Sequence, residues 1–195
     1  MTAKEKDTKR LLIVAIEEVY LSIITKQLKE VFGSQLIFKS ITVKNLDKIE
    51  VQQADVVLLP GQFIYQFVKP YLLESTRVVF AKRAINSINI LPLMDLPKGQ
   101  NILVVNDRKL NTEETVKSLT NIFQEHHFIP YFPEVAIPEN IDYIVTPGEP
   151  QLVPAIFSQV IDIGPRILSL ITIDELIATF ELDIDRDITV ARYVK

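Results

Sequence analysis

The chain contains one short segment twice. Residues 55–62 read DVVLLPGQ and residues 142–149 read DYIVTPGE, 87 positions later (142 − 55). We call these the first and second Pro-Gly segments. In each, an acid precedes a run that is too short for a helix and rich in β-branched and aromatic residues, which predicts a buried strand ending in a tight turn. One such turn is ordinarily structural, but two at matching places indicate related surroundings.

The residues around the two segments repeat as well. In the first half, strands are predicted at residues 11–16, 36–43, 56–59 and 77–81, with helices over 19–32, closed by Gly33, and over 62–69. Residues 91–99, which contain two prolines and a glycine, are a predicted linker. The pattern then restarts with strands at 102–105, 128–132 and 159–163, and with helices capped by Asn111 and Thr172.

This repetition predicts an internal duplication. The first strands of the two halves lie 90 positions apart (102 − 12), close to the spacing of the Pro-Gly segments. Strands alternating with helices at these separations indicate α/β lobes with mostly parallel sheets. We therefore expect a first lobe over residues 1–97, a second over 98–183, and a connecting segment over 184–195.

Open α/β sheets bind ligands beyond the carboxyl ends of their strands, so the loops after the strands are expected to face a cleft between the lobes. Gly61 and Gly148 would face one another across it, since glycine permits a positive φ or the close approach of a ligand. Lys82 and Arg83 directly follow a strand and predict an anion site, although charges there are commonly solvated. The predicted ligand-binding residues are Gly61, Gln62, Lys82, Arg83, Asn106, Asp107, Thr146, Gly148, Glu149 and Arg166.

Several kinds of chemistry find no support in the sequence. A net charge of −4 and a pI near 5.3 argue against direct nucleic-acid binding. Without cysteine, and with only the adjacent His126 and His127, no metal site is predicted. The chain also lacks a Walker loop and a G-x-G-x-x-G phosphate cradle, so we predict no cofactor and no catalysis. A receiver-type phosphotransfer is rejected because Leu59-Pro60 occupies the place of the phosphoacceptor aspartate.

The cellular location follows from the opening and from the hydropathy pattern. Residues 1–10 are charged and polar and lack the apolar core of a signal peptide. No later apolar run reaches the roughly 18 residues of a membrane helix. We expect a cytoplasmic protein without membrane contact.

A family resemblance is densest after residue 97 and covers about residues 11–183. It is carried by the runs ILVVND at 102–107, PYFP at 130–133, TPGE at 146–149 and IDIG at 161–164, together with Glu114-Thr115, Val153-Pro154 and Arg166. These phrases resemble the amino-terminal region of sigma-54-interacting transcriptional regulators of Gram-positive bacteria. More distantly, they are similar to the sensory region of the propionate catabolism regulator. Pro165 departs from the pattern and leaves the ligand role of Arg166 open.

The resemblance implies two Rossmann-like or flavodoxin-like lobes that form a signal-input module, followed in such regulators by a PAS domain, an AAA+ ATPase and a helix-turn-helix. We expect the module to bind a small organic acid, an acyl thioester or another anionic effector without catalysis. The main alternative is an interaction module, for example a homodimer, that takes no metabolite. A nucleotide-dependent transferase is a third, weaker alternative, because clustered acid and base groups are not visible in the sequence.

Overall fold

A computed structural model describes residues 9–195. The chain forms two compact units, one of Met1–Arg83 with Ile167–Lys195 and one of Ala84–Arg166. It therefore passes between units at 83/84 and again at 166/167, which differs from the expected boundaries at 97/98 and 183/184. Residues 1–8, most of the charged opening segment, lie outside the described part.

The first unit contains a parallel sheet of order β2-β1-β3-β4. Its first elements are β1 (Arg10–Ala15), α1 (Glu18–Phe32), β2 (Ile37–Thr42), α2 (Lys48–Gln52), β3 (Val56–Leu59), α3 (Gln62–Val68) and β4 (Arg77–Phe80). The central strands β1 and β3 are almost entirely buried. Continuous apolar runs suit them because helices and loops cover both faces of the sheet.

After β5 (Arg83–Ala84), the second unit repeats this topology. It consists of α4 (Leu91–Met94), β6 (Asn101–Val105), α5 (Lys109–Ile122), β7 (His127–Tyr131), β8 (Tyr143–Thr146) and β9 (Ile161–Asp162). Its sheet is parallel with the order β7-β6-β8-β9. Numbered within each unit, both sheets read 2-1-3-4, the beginning of the flavodoxin-like strand order. The predicted fold of two duplicated α/β lobes with mostly parallel sheets is confirmed.

The acid of each Pro-Gly segment has the same structural role in its own unit. The backbone N–H of Arg10 donates to Asp55 Oδ2 at 2.7 Å, and that of Asn101 donates to Asp142 Oδ2 at 2.8 Å. Each carboxylate thus holds the first residue of its central strand. The strand register makes Arg10 equivalent to Asn101, an offset of 91 (101 − 10) rather than the expected 90.

The chain returns to the first unit through β10 (Ile167–Leu168), α6 (Leu170–Thr179) and α7 (Arg186–Tyr193). β10 pairs with β5. Leu168 is fully buried in the first unit's core, where it lies with residues of α1 and α6. Residues 184–195 were expected to connect onward, but Arg192 Nη1 donates to the Val31 carbonyl at 3.0 Å and Tyr193 packs on the same core.

Three further local predictions differ from the structure. Residues 91–99 do not form a free linker, because Leu93 is fully buried in the second unit's core. Helix α5 begins at Lys109 rather than after a cap at Asn111. Helix α6 is capped by Ser169, whose Oγ accepts from the Thr172 N–H, so Thr172 lies inside the helix rather than capping it.

Tyr193 makes the first unit sensitive to high pH. Burial raises the pKa of its hydroxyl above 10.0, against a smaller lowering by a backbone hydrogen bond at Leu170. The folded state therefore binds the hydroxyl proton more tightly than the unfolded state does. The stabilisation that this protonated hydroxyl contributes is complete below pH 10 and is lost as the pH rises further. In urea unfolding between pH 8 and pH 11, Tyr193→Phe should show a smaller loss of stability above pH 10 than the natural chain. Tyr71→Phe is the matched control, and equal slopes for both variants would contradict the assignment.

Candidate functional site

Three loops of the second unit lie at one edge of its sheet. They follow β6, β8 and β9, which are parallel neighbours and therefore end on the same side. The loops after β8 and β9 also lie close together, since a Cβ added to Gly148 would lie 3.1 Å from the Pro165 nitrogen. This edge is where open α/β sheets bind ligands.

Arg166 ties the loop after β9 to helix α5. Its side chain is only 7% exposed, and Nη1 donates to Glu114 Oε2 at 2.6 Å. Nη2 donates to Asn111 Oδ1 at 3.1 Å, and Asn111 Nδ2 in turn donates to Asp107 Oδ1 at 2.7 Å. A buried guanidinium requires such partners, because an uncompensated charge away from water is costly. The helical residues Asn111 and Glu114 thus hold the cation instead of forming the expected cap.

Asn106 directly follows β6 and is buried. Its Nδ2 approaches Thr115 Oγ1 at 3.5 Å, and its Oδ1 accepts from the Asp107 N–H at 2.8 Å. The equivalent residue of the first unit is Ala15, which is apolar. At this position the second unit is therefore polar and the first unit apolar.

The loop after β8 is fixed by hydrogen bonds to its backbone. Asp162 Oδ1 accepts from the N–H groups of Gly148 at 2.9 Å and Gly164 at 2.8 Å. Thr146 Oγ1 accepts from the Glu149 N–H at 3.1 Å. Gly148 has a φ of 86°, which side-chain-bearing residues rarely adopt, so glycine is needed here.

The first Pro-Gly segment differs from the second in this respect. Gly61 is extended, with a φ of −170°, and an added Cβ would meet nothing within 4 Å. The positive φ considered for Gly61 is therefore absent. Gln62 is exposed and begins α3.

Lys82 contributes mainly through its backbone. Its N–H donates to Thr172 Oγ1 at 2.8 Å, and its carbonyl accepts from that hydroxyl at 3.1 Å and from the Ser169 N–H at 2.8 Å. Its side chain is exposed, and Arg83 is half-buried. These contacts attach the loop after β4 to the beginning of α6.

The structure places the predicted residues in two groups. Gly61, Gln62, Lys82 and Arg83 belong to the first unit, whose strands β3 and β4 end side by side. The six others belong to the second unit and follow β6, β8 and β9: Asn106, Asp107, Thr146, Gly148, Glu149 and Arg166. The ligand-binding role of both groups remains a prediction.

Arg108 and Lys109, at the beginning of α5, were not among the predicted site residues, because they match no local motif. Their equivalents in the first unit are Glu17 and Glu18. Acids suit the positive end of a helix dipole, whereas bases there do not. Comparing the halves at the offset of 91 would have shown this charge reversal.

The fold and these contacts define a class: a two-unit α/β protein with a polar site at the strand ends of its second unit. Comparisons with protein-family models, curated proteins and solved structures found no match. None of the helices within residues 9–195 combines the length and apolarity needed to cross a bilayer. Over the same residues, no cluster of three or more His, Asp or Glu could hold a metal ion.

Proposed function

We propose that this chain is a non-catalytic signal-input module that binds a small anionic effector, such as an organic acid or an acyl thioester. The observation that carries the proposal is the buried Arg166 guanidinium at the strand ends of the second unit. Arg is well suited to bind carboxylates because its donors match their geometry. The positive end of the α5 dipole also favours an anion, whereas the cations there, Arg108 and Lys109, already pair with Asp107 and Glu113.

Glu114 is the residue that an effector would displace from Arg166. Its carboxylate pairs with Arg166, yet its side chain remains 46% exposed. An effector carboxylate that takes the place of Glu114 on the guanidinium would leave Glu114 free to regain water. Such an exchange would release Arg166 from α5 and tie it to the effector. Arg166 is the last residue before the chain re-enters the first unit. A ligand shifts an equilibrium only by its different affinities for the two arrangements.

The cellular setting of the proposal comes from the family resemblance. The module would act in the cytoplasm as the sensory region of a sigma-54-dependent transcriptional regulator. Its output would restrain or release an AAA+ ATPase that follows a PAS domain in the same protein. The duplicated parallel lobes agree with this assignment.

The test is a thermal-shift screen of short carboxylic acids, dicarboxylic acids, phosphate and acyl thioesters, followed by calorimetry. We expect at least one anion to raise the Tm, because binding to the folded state alone stabilises it. Arg166→Met should abolish the shift. Glu114→Gln should retain or strengthen binding, since it removes the competing carboxylate.

The control for these variants is Glu113→Gln, which neutralises the neighbouring exposed acid, paired only at the surface with Lys109. Its binding should equal that of the natural chain. A separate variant with the charges of both Lys82 and Arg83 reversed tests whether the cations of the first unit contribute to effector binding. A screen without any Tm shift, or unchanged binding by Arg166→Met, would refute the effector site.

An interaction module without a metabolite is the second candidate. The observation favouring it is an apolar group exposed near the strand ends of the first unit. Ile16 is 57% exposed, Val19 73% and Phe63 65%. A macromolecular partner, rather than a small anion, would cover such side chains. Replacing all three with serine should leave effector binding intact if the first proposal holds.

A further inference from the structure

Strand β2 forms an open edge of the first sheet. Within residues 9–195 it pairs with β1 alone. The Ile37 N–H donates inward to the Lys9 carbonyl, so the alternating backbone directs the groups of Phe38, Ser40 and Thr42 outward. Unpaired edge groups are a template for another strand.

The second unit closes the equivalent edge. Ile37 corresponds to His127, since each pairs with the first residue of its central strand. Pro130 is therefore the equivalent of Ser40, in the middle of the outward row. Proline has no N–H to offer and is a common means of blocking sheet edges. Only the first unit thus retains the full set of outward donors.

The usual charge protection of an edge is also weakened on β2. Lys39 is the strand's only charged residue, and its Nζ lies 3.1 Å from Glu50 Oε1 of the same unit. Its charge is therefore partly neutralised within the chain. The positive charge of Lys39 therefore hinders the approach of another strand less than the charge of an unpaired lysine would.

Helix α1 presents a self-complementary face beside this edge. An open groove of about 680 Å³ runs between α1 and β2. Its lining includes Glu18, Ser22, Thr25, Lys29, Ser40 and Thr42, together with Lys26 and Glu30, which pair with each other at 3.9 Å. Glu18 and Lys29 are eleven residues apart, about three helical turns, and so share one face. Among the described residues neither has an ion-pair partner. A two-fold axis between Ser22 and Thr25 would place each Glu18 opposite the other copy's Lys29.

We propose that two copies of this chain dimerise through antiparallel pairing of their β2 strands. The strands would meet around Ser40, which sets Lys39 opposite Ile41 rather than opposite another lysine. Both copies of α1 would then lie on the same face of the joined sheet. Since α1 packs over β1 and β2, the two helices would be about two strand spacings apart, roughly 10 Å, a distance at which helices pack.

The first test is the mass of the full chain by light scattering and sedimentation. We expect a dimer of the 22.3 kDa chain for the natural protein and for Ser40→Ala. Ser40→Pro should be monomeric, because it removes the central outward N–H. The fold should tolerate this change, since the Ser40 N–H lies outside the β1–β2 ladder and Pro130 occupies the matching place. Far-UV circular dichroism checks that point.

The second test does not depend on proline. Glu18→Lys and Lys29→Glu should each raise the dimer Kd about tenfold, because each creates two like-charge contacts. Mixing the two variants should restore association as a heterodimer, and combining both changes in one chain should restore the homodimer. A monomeric natural protein, a dimeric Ser40→Pro, or a mixture that stays monomeric would each overturn the proposal.

Discussion

Replacing Gln27 with leucine is expected to lower the free energy of unfolding of the first unit by about 4 kcal/mol. Gln27 is buried in α1, where its Nε2 donates to the Leu168 carbonyl at 3.0 Å and its Oε1 accepts from the Leu168 N–H at 2.9 Å. Leucine would leave both backbone groups buried without partners. Each such group costs about 1–3 kcal/mol, and the two costs act together.

The measurement is urea unfolding followed by circular dichroism. Gln35→Leu, at an exposed position just beyond α1, is the matched control and should change stability by no more than about 0.5 kcal/mol. A loss below about 1 kcal/mol for Gln27→Leu would mean that water replaces the amide.

The contact between Gln27 and Leu168 also shows why the domain boundaries could not be predicted from the sequence. The central strands were predictable because each is an apolar run with a local signal, and the repeated segments indicated the second sheet. The two-residue strands β5 and β10 were not predicted. The return of residues 167–195 to the first unit depends on contacts between residues far apart in the sequence, from 90 positions for Lys82 and Thr172 to 161 for Val31 and Arg192. An apolar helix face such as that of α6 does not specify which of two similar sheets it covers.

The two Pro-Gly segments show the same distinction at the level of single residues. Their letters nearly match, and both do end a buried strand. Their glycines differ because Gly148 packs against Pro165 with a positive φ, whereas Gly61 has open space around an extended backbone. The surroundings of each loop come from distant parts of the chain. Local sequence therefore predicted the turns and not their conformations.

In the candidate site as well, the positions of residues were predictable from local sequence and their contacts were not. Placing polar residues after strands was enough to bring Asn106, Gly148 and Arg166 to one sheet edge. The partners of Arg166 were missed because Asn111 and Glu114 have the spacing of a helix cap. Arg166, more than 50 positions away, binds both side chains instead. A buried cation requires compensation more strongly than a helix end requires a cap, since water can satisfy an exposed helix end.

The need of the buried Arg166 for a partner predicts a second large effect on stability. Glu114→Ala is expected to destabilise the second unit by about 3 kcal/mol, because it leaves the Arg166 guanidinium buried without its carboxylate. This loss of stability lies at the low end of the range for a buried ion pair, because the Glu114 side chain is half-exposed and solvent screens its charge. Urea unfolding measures the change. Glu113→Ala is the control and should stay within about 0.5 kcal/mol of the natural chain.

A double-mutant cycle separates the ion pair from the loss of side-chain packing. Arg166→Met fills the same space without charge, so Glu114→Ala added to it should cost at least about 1 kcal/mol less than in the natural chain. Additive effects would mean that the pair is not coupled. An anionic effector that takes the place of Glu114 should raise the Tm of Glu114→Ala more than that of the natural protein, because it restores the missing partner. Equal Tm shifts would leave the ion pair structural and would place the effector elsewhere.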